Sequence, residues 1–199
     1  MPGQDLAFLL APGAGAPSSH PRTQTFARLL GKLGSVHPFD YPYMIEGRKN
    51  PDRLPRLIEA HRAALHALRQ MHAGPIILVG KSMGGRVGCY VALVGKVAAV
   101  VCLGYPLCGG GDVSKLRDQV LLELATPAMF VQGTRDNLCP LQIFEEVRGR
   151  MSAPTAIHVV ERGDHSLLVS KTELKARGVT QETVDFGILG AVVDFLRKI

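Results

Sequence analysis

Residues 76–89 read Ile-Ile-Leu-Val-Gly-Lys-Ser-Met-Gly-Gly-Arg-Val-Gly-Cys and carry the strongest structural signal of the chain. Its first half is a short, uninterrupted apolar run, which is typical of a strand that is buried on both faces of a sheet. Its second half places small residues at helical spacing on one side, at Gly85, Gly88, Cys89 and Ala92. The stretch therefore predicts a buried strand that leads directly into a helix.

The junction between the two halves, Gly80-Lys81-Ser82-Met83-Gly84, matches the pattern G-x-S-x-G. This pattern is typical of a nucleophile elbow, in which a strand turns sharply into a helix and holds the serine hydroxyl at the apex. Bulky side chains two residues before or after the serine would clash with the neighbouring strand or helix, so glycine is expected at both places. The backbone N–H of Met83 would then lie at a helix N-terminus, where it can bind a developing oxyanion.

The junction also fits two other interpretations. Gly80-Lys81-Ser82 also looks like the end of the phosphate-binding pattern G-x-x-x-x-G-K-[ST]. That pattern needs glycine at position 75, where this chain has Pro75, and the residues between are apolar strand formers instead of a flexible cradle for phosphate. A plain tight turn without function is the other alternative. The strand before the motif and the helix after it favour the elbow.

The composition is that of an ordinary globular protein. The chain has 199 residues, of which 46% are hydrophobic and 20% are charged, so it is long enough to bury a substantial core. We predict one domain that spans residues 1–199. The net charge of +6 is mild and spread along the chain, and no nucleic-acid partner is predicted from it.

The cysteines and the N-terminus bear on the expected compartment. The chain has no C-x-x-C pair, and no histidine cluster lies at metal-ligand spacing near its four cysteines. Free thiols fit a reducing compartment. The first residues, Met-Pro-Gly-Gln-Asp, lack the basic and then apolar pattern of a signal peptide, and no apolar run approaches the ~18 residues of a membrane span. We therefore expect a cytoplasmic protein with no membrane span, no metal and no cofactor.

Short apolar runs alternate with helical patterns along the rest of the chain. The expected strands cover residues 6–11, 36–39, 76–79, 97–103, 128–132 and 156–160. This alternation predicts an α/β fold, with a mostly parallel six-stranded sheet flanked by helices in a three-layer sandwich. In such sheets the residues that carry the chemistry gather at the carboxyl ends of the strands. His61 falls within an apolar helical stripe and is expected to be a packed, hydrogen-bonded histidine.

Two strand ends carry the partners that a serine nucleophile needs. A serine hydroxyl is a poor nucleophile unless a base accepts its proton. The strand ending at Gln132 is followed by Gly-Thr-Arg and Asp136, and the strand ending at Val160 by Glu-Arg-Gly-Asp and His165. The order serine, acid, histidine is the order found in α/β hydrolases. We therefore predict that Ser82, Asp136 and His165 form a catalytic triad.

Other carboxylates and histidines fit these roles less well. Asp164 adjoins the histidine, and neighbours in sequence rarely point at each other, so we expect it to stabilise the loop. Asp112 follows an earlier strand and is kept as the alternative acid. The remaining candidate histidines precede or lie within other elements and lack the required loop position: His20, His37 and His158.

The loop after the first strand, Pro12-Gly13-Ala14-Gly15, is suited to close backbone approach. The second oxyanion donor of an α/β hydrolase comes from this position in the fold. We expect the backbone N–H of Ala14 to be that donor, with the N–H of Gly15 as the alternative. Gly13 and Gly15 are expected to line the substrate cleft.

The only stretch available for a lid before the acid is residues 105–126. Part of it is predicted to form a helix whose buried face carries Val113, Leu116, Val120, Leu121 and Leu124. The remainder, residues 105–112, is too short for a helical lid. We therefore predict no lid domain and a shallow cleft rimmed by Tyr105, Leu107 and the 41–50 loop. Such a cleft suits short or water-soluble acyl substrates.

Six short motifs together resemble a small group of α/β hydrolases: Leu-Ala-Pro-Gly-Ala-Gly, Phe-Asp-Tyr-Pro-Tyr, Gly-Lys-Ser-Met-Gly-Gly-Arg, Leu-Gly-Tyr-Pro-Leu, Gln-Gly-Thr-Arg-Asp and Gly-Asp-His-Ser. The group comprises predicted bacterial hydrolases and testis-expressed hydrolase-like proteins, and it is distantly similar to dienelactone hydrolases. The resemblance covers nearly the whole chain and implies the α/β-hydrolase fold and the triad above. Dienelactone hydrolases carry a cysteine nucleophile where this chain has Ser82, so their substrate does not transfer. Pro12-Gly13 stands where such families have His-Gly.

The leading hypothesis is a cofactor-free serine hydrolase that acts on an ester or thioester of a small acyl substrate. The alternative is a non-catalytic binding or scaffold protein that keeps the same fold. The complete set of serine, acid and histidine favours the enzyme. The sequence makes no prediction of the oligomeric state.

Overall fold

A parallel sheet forms the centre of the molecule. The computed structural model describes residues 5–199. The strands of this range are β1 (Ala7–Ala11), β2 (Ser35–Pro38), β3 (Ile76–Lys81), β4 (Ala99–Leu103), β5 (Cys108–Gly109), β6 (Asp112–Leu116), β7 (Ala128–Gly133) and β8 (Thr155–Val160). Six of them form one sheet in the order β2-β1-β3-β4-β7-β8, and each neighbouring pair runs parallel. The predicted six-stranded α/β sheet is confirmed.

Helices cover both faces of this sheet. They are α1 (Pro21–Leu30), α2 (Pro42–Ile45), α3 (Leu54–Met71), α4 (Met83–Ala92), α5 (Gln119–Glu123), α6 (Leu141–Arg148), α7 (Lys171–Ala176) and α8 (Gln181–Leu196). One core lies between the sheet and helices α3, α4, α5 and α6, and the other between the sheet and helices α1 and α8. Leu78 belongs to the first core, whereas Ile77 and Val79 belong to the second, because successive side chains of a strand point to opposite faces. The result is the predicted three-layer sandwich.

The register of the central strands brings the candidate loops to one edge of the sheet. Strand β3 lies between β1 and β4, with Gly80 opposite Ala11 and Lys81 opposite Leu103. The carboxyl ends of parallel strands meet at the same edge, where ligands bind in open α/β sheets. The loops after β1, β3, β7 and β8 therefore face a common region.

The segment between β4 and β7 differs from the sequence prediction. Val113 and Leu116 were expected on a buried helix face, but they lie in β6 and are 55% and 37% exposed. Gly110 and Gly111 adopt φ values of 64° and 81°, which let the chain reverse between β5 and β6 in an antiparallel hairpin. The other three predicted residues are buried in or just after α5: Val120, Leu121 and Leu124.

The same segment, between β4 and β7, is where a lid would be inserted. Within the described residues, the β5–β6 hairpin and the five-residue helix α5 are the secondary structure between β4 and β7, and no lid domain is inserted there.

Between Asp5 and Ile199, no helix is both long enough and apolar enough to cross a membrane.

Candidate active site

Ser82 stands at the turn between β3 and α4 in a strained backbone conformation. Its φ of 49° and ψ of −115° lie outside the regions that residues with a side chain usually adopt. The N–H of Ser82 donates a hydrogen bond to the carbonyl of Leu103 in β4 at 3.0 Å. The turn is therefore anchored to the neighbouring strand, as a nucleophile elbow requires.

The glycines of the motif allow close contact between backbones. A methyl group added to Gly80 would overlap the backbone of Gly84 and Gly85 at the start of α4. A methyl group added to Gly84 would lie 2.6 Å from the carbonyl oxygen of Ala11 at the end of β1. These approaches leave no room for a side chain, which is the physical reason for glycine at both places.

The structure brings together the three side chains that were predicted to form a triad. Nε2 of His165 lies 2.7 Å from Oγ of Ser82, and Nδ1 of His165 lies 2.8 Å from Oδ2 of Asp136. The Asp136 side chain is fully buried, and its Oδ1 accepts a hydrogen bond from the N–H of Leu138 at 2.9 Å. Both carboxylate oxygens therefore have a hydrogen-bond partner, and the carboxylate is held in one orientation. With the proton on Nδ1, the Nε2 atom can accept the proton of Ser82.

The two rival carboxylates have other partners. Oδ1 of Asp164 accepts hydrogen bonds from the N–H groups of Ser166 at 2.7 Å and Leu168 at 2.9 Å, so it stabilises its own loop. Asp112 lies in β6, where Ser114 and Lys115 bind its carboxylate. The hydrogen bond from the Ser114 side chain and that from Lys115 lower the pKa of Asp112.

The other candidate histidines lie in or at the start of other elements. His20 caps helix α1, because its Nδ1 accepts the N–H of Arg22 at 3.2 Å. His37 lies in β2 with its Nε2 3.1 Å from Oγ of Ser35. His158 lies in β8, and burial lowers its pKa.

The loop after β1 lies directly against the elbow. A methyl group added to Gly13 would be 3.6 Å from Cβ of Ser82. Oη of Tyr43 donates a hydrogen bond to the carbonyl of Ala14 at 2.7 Å. The carbonyl and the N–H of a trans peptide point in opposite directions, so this bond also sets the direction of the Gly15 N–H.

Met83 is the first residue of α4, and its N–H has no acceptor within the helix. The helix dipole concentrates partial positive charge at this end. Gly84 packs against the end of β1, so the start of α4 and the loop after β1, which contains Ala14, are neighbours. The two predicted oxyanion donors, on Met83 and Ala14, belong to backbone segments that border Ser82.

Tyr105 and Leu107 do not form the rim that the sequence predicts. Both side chains are fully buried. Oη of Tyr105 donates a hydrogen bond to the carbonyl of Arg117 at 2.7 Å, and its ring packs edge-on against Phe130 with centroids 5.9 Å apart. The N–H of Arg117 returns a hydrogen bond to the carbonyl of Leu107 at 2.8 Å. The chain that leaves the β5–β6 hairpin thus packs over these two residues and removes them from the surface.

A cavity of about 490 Å³ opens beside the loop after β1. Residues 14–17 line one side, and Tyr43, Met44 and residues 47–49 line the other. Arg48 on this second side is held by Glu46 at 2.6 Å and by Asp52 at 2.8 Å. Part of the 41–50 segment therefore faces Ala14 and Gly15 of the candidate oxyanion loop across this cavity.

Lys81 is a charged residue near the site to which the sequence assigned no role. A methyl group added to Gly104 would lie 3.3 Å from Nζ of Lys81 and 3.6 Å from Cε1 of His165, so both side chains approach the same point. Burial lowers the pKa of Lys81 to about 8, although Asp136 and Asp164 act in the opposite direction. The signal that could have identified it is a lone charged side chain at the end of an apolar strand.

The side chains that commonly bind metals are dispersed over residues 5–199. Over residues 5–199, no group of three or more His, Cys, Asp or Glu side chains is arranged to hold a metal ion. The four cysteines are buried and free, and the Sγ atoms of Cys89 and Cys102 lie 3.7 Å apart. All four act as small side chains of the same hydrophobic core.

Both the sequence and the structure of the chain are similar to those of known proteins. The sequence model of a family described as "Alpha/beta hydrolase domain" matches residues 4–188. An α/β serine hydrolase without lid from Xanthomonas campestris has a similar structure, with a TM-score of 0.73 at 16% identity over 100% of this chain and 85% of that one. An α/β serine hydrolase homologue from Coxiella burnetii gives a TM-score of 0.72 at 18% identity over 98% and 85% of the two chains. A dienelactone hydrolase from Anabaena variabilis gives 0.67 at 19% identity over 92% and 85%.

Proposed function

Because the chain belongs to the alpha/beta hydrolase domain family, we propose that it is a serine hydrolase that cleaves an ester or thioester of a small acyl substrate. One observation carries the proposal. His165 bridges Ser82 and the buried Asp136 through contacts of 2.7 and 2.8 Å. This arrangement supplies a nucleophile, a base and a carboxylate that orients the base, which is the set that acyl transfer requires.

The proposed reaction begins when Oγ of Ser82 attacks the acyl carbon and Nε2 of His165 accepts the serine proton. Asp136 stabilises the imidazolium that forms. The imidazolium then donates its proton to the leaving oxygen or sulfur, and the acyl group stays on Ser82. Water attacks this acyl-enzyme with the same histidine as base, which releases the acid and restores the serine.

The negative charge that develops on the substrate oxygen needs donors that are already in place. The N–H groups of Met83 and Ala14 are the proposed donors, and that of Gly15 is the alternative. The hydrogen bond from Tyr43 to the Ala14 carbonyl supports a fixed geometry for this loop. Fixed backbone donors stabilise the transition state without reorganising during the reaction.

The space beside Ala14, one of the two proposed donors, supports a substrate of modest size. The cavity of about 490 Å³ beside residues 14–17 is in the range of small-molecule sites. Within the residues described, no lid is inserted between β4 and β7 that could enclose a long acyl chain. We therefore propose short or water-soluble acyl esters or thioesters as the substrate class.

Labelling with a fluorophosphonate probe tests the proposal. The wild-type protein should be labelled, and Ser82→Ala should not be. Ser152→Ala is the matched control, since Ser152 lies away from the elbow with its Oγ 3.4 Å from the carbonyl of Leu124. A folded wild-type protein that resists the probe would favour a non-catalytic binding protein. Labelling that persists in Ser82→Ala would contradict the proposed nucleophile.

The substrate class is tested by a panel of p-nitrophenyl esters and acyl-CoA thioesters of graded chain length. We expect kcat/KM to be highest for short acyl chains, and every activity to disappear in Ser82→Ala. A preference that rises steadily toward long chains would contradict the proposed substrate class while leaving the nucleophile intact.

A further inference from the structure

Arg22 of helix α1 joins three parts of the fold at the loop that carries His165. Its Nε donates a hydrogen bond to the carbonyl of Ser166 at 2.9 Å, and its Nη2 donates one to the carbonyl of Leu167 at 3.1 Å. Its Nη1 forms an ion pair with Asp185 of helix α8 at 2.6 Å. The side chains of Arg22 and Asp185 are only 10% and 7% exposed. The guanidinium therefore ties two helices to the two residues that follow the histidine.

The guanidinium itself is held in place from several sides. Its central carbon lies 4.4 Å from the ring centroid of Phe26, one turn further along α1. Asp185 also accepts a hydrogen bond from Nε2 of Gln181 at 2.9 Å, and the same amide nitrogen lies 3.0 Å from the carbonyl of Leu167. A planar guanidinium fixed by stacking and by a carboxylate presents its remaining donors in a rigid geometry.

The loop needs such support because it has no regular secondary structure. Leu167 has a φ of 61°, which residues with a branched side chain rarely adopt. Within the loop, the side chain of Asp164 accepts hydrogen bonds from the N–H groups of Ser166 and Leu168. The carbonyls of residues 166 and 167 need donors from outside the loop, and Nε2 of Gln181 supplies one to the carbonyl of Leu167. Arg22 supplies a donor to each of them.

We propose that Arg22, held by Asp185, is a positioning residue that keeps the imidazole of His165 aligned between Ser82 and Asp136. The inference rests on the proposed function. Arg22 does not touch the reacting atoms, and it acts through the backbone that follows the histidine. Contacts of 2.7 and 2.8 Å on the two ring nitrogens leave little tolerance for a displaced ring. A shift of about 1 Å can cost ~10²-fold in rate.

The experiment compares Arg22→Met with Arg28→Met. Arg28 lies on the same helix and is exposed, and its Nη2 donates a hydrogen bond to Oγ1 of Thr25 at 3.3 Å. For p-nitrophenyl acetate, Arg22→Met should lower kcat by about 10- to 100-fold with little change in KM, whereas Arg28→Met should match the wild type. Arg22→Lys keeps the charge but has one nitrogen for three acceptors, so it should not restore kcat. Full activity in folded Arg22→Lys would overturn the role of the three-bond arrangement.

A spectroscopic readout separates positioning from loss of stability. The Nδ1 proton between His165 and Asp136 should give a low-field ¹H NMR signal in the wild type. Arg22→Met should lose or broaden this signal at temperatures where circular dichroism shows a folded protein. A folded Arg22→Met with wild-type kcat and a wild-type signal would overturn the proposal. If that variant does not fold, Asp185→Asn decides: a weakened signal and a lowered kcat support the proposal, and wild-type values for both overturn it.

The two proposals fail in different ways. If the wild type shows the low-field signal but no Ser82-dependent turnover, the hydrolase proposal fails, and the NMR comparison still decides the role of Arg22. If the wild type turns over substrate and Arg22→Met does so equally well, the hydrolase proposal stands and the positioning role fails.

Discussion

Nδ1 of His165 lies 2.8 Å from Oδ2 of Asp136, and the Asp136 side chain is completely shielded from solvent. A hydrogen bond to an ionised, buried acceptor is stronger than one between neutral groups in water. In the proposed reaction this contact keeps the proton on Nδ1 and stabilises the imidazolium as it forms.

Asp136→Asn should therefore keep the fold but lower kcat by roughly 10³- to 10⁴-fold, as for the same change in other triads. The amide cannot stabilise the imidazolium and favours the wrong tautomer. Steady-state kinetics on a p-nitrophenyl ester measures the effect, and Asp112→Asn, in the exposed hairpin, should have wild-type kcat. Near-wild-type turnover in Asp136→Asn together with loss in Asp112→Asn would show that the acid is misassigned.

A second prediction concerns the need for glycine at position 80, two residues before Ser82. A methyl group there would overlap the backbone of Gly84 and Gly85, so Gly80→Ala should destabilise the protein by more than about 2 kcal/mol. Gly190 lies inside α8 with open space around the position of an added methyl group. Gly190→Ala should stabilise the protein by roughly 0.5–1 kcal/mol. Urea unfolding compares the two, and equal effects would contradict the steric argument.

His61 should make the protein sensitive to acid. Its side chain is fully buried beside Oη of Tyr41 at 3.2 Å, and burial lowers its pKa from 6.5 to about 3. Between these values the unfolded chain binds a proton that the folded protein does not. The contribution of His61 to stability is therefore complete above pH 6.5 and declines as the pH falls toward 3, by up to about 1.4 kcal/mol per pH unit.

Urea unfolding at pH 7, 5 and 4 measures this dependence. His61→Gln should reduce the slope with pH, whereas His66→Gln, at an exposed position of the same helix, should keep it. A slope that is unchanged in His61→Gln would show that other groups cause the acid sensitivity.

Lys81 should affect stability at the opposite end of the pH range. Burial lowers its pKa from 10.5 to about 8, so between these values the unfolded chain binds more protons and this contribution to stability rises with pH. Lys81→Met should therefore be more stable than the wild type at pH 7, and the difference should shrink as the pH rises from 8 toward 10.5. Lys96→Met, at an exposed position, is the control. A difference that does not change with pH would contradict the assignment.

The missing lid predicts a kinetic property. The segment between β4 and β7 holds a short hairpin and a five-residue helix, which cannot open and close over a long acyl chain. The rate with a sparingly soluble ester such as tributyrin should therefore show no jump when the substrate passes from dissolved molecules to an emulsion. An abrupt rise at the solubility limit would refute the prediction.

The sheet and the elbow could be predicted because their signals are local. Buried parallel strands such as β3 and β4 are continuous apolar runs, and the strand, the G-x-S-x-G motif and the helix are adjacent in sequence. The positions of Asp136 and His165 followed from chain order, since each comes directly after a strand of a parallel sheet. The prediction failed at residues 105–116, where spacing alone fits both a helix face and a hairpin, and where the turn at Gly110 and Gly111 decided between them.

Local sequence patterns were enough to predict the six strands of the main sheet, the turn at Ser82 and the loops that carry Asp136 and His165. The burial of Tyr105 and the contacts of Arg22 with the loop after His165 arise only in the folded chain. Arg22 contacts the carbonyl of Ser166 across 144 positions of sequence. No periodicity or motif encodes such a contact, because it depends on how helices α1 and α8 pack together against one face of the sheet.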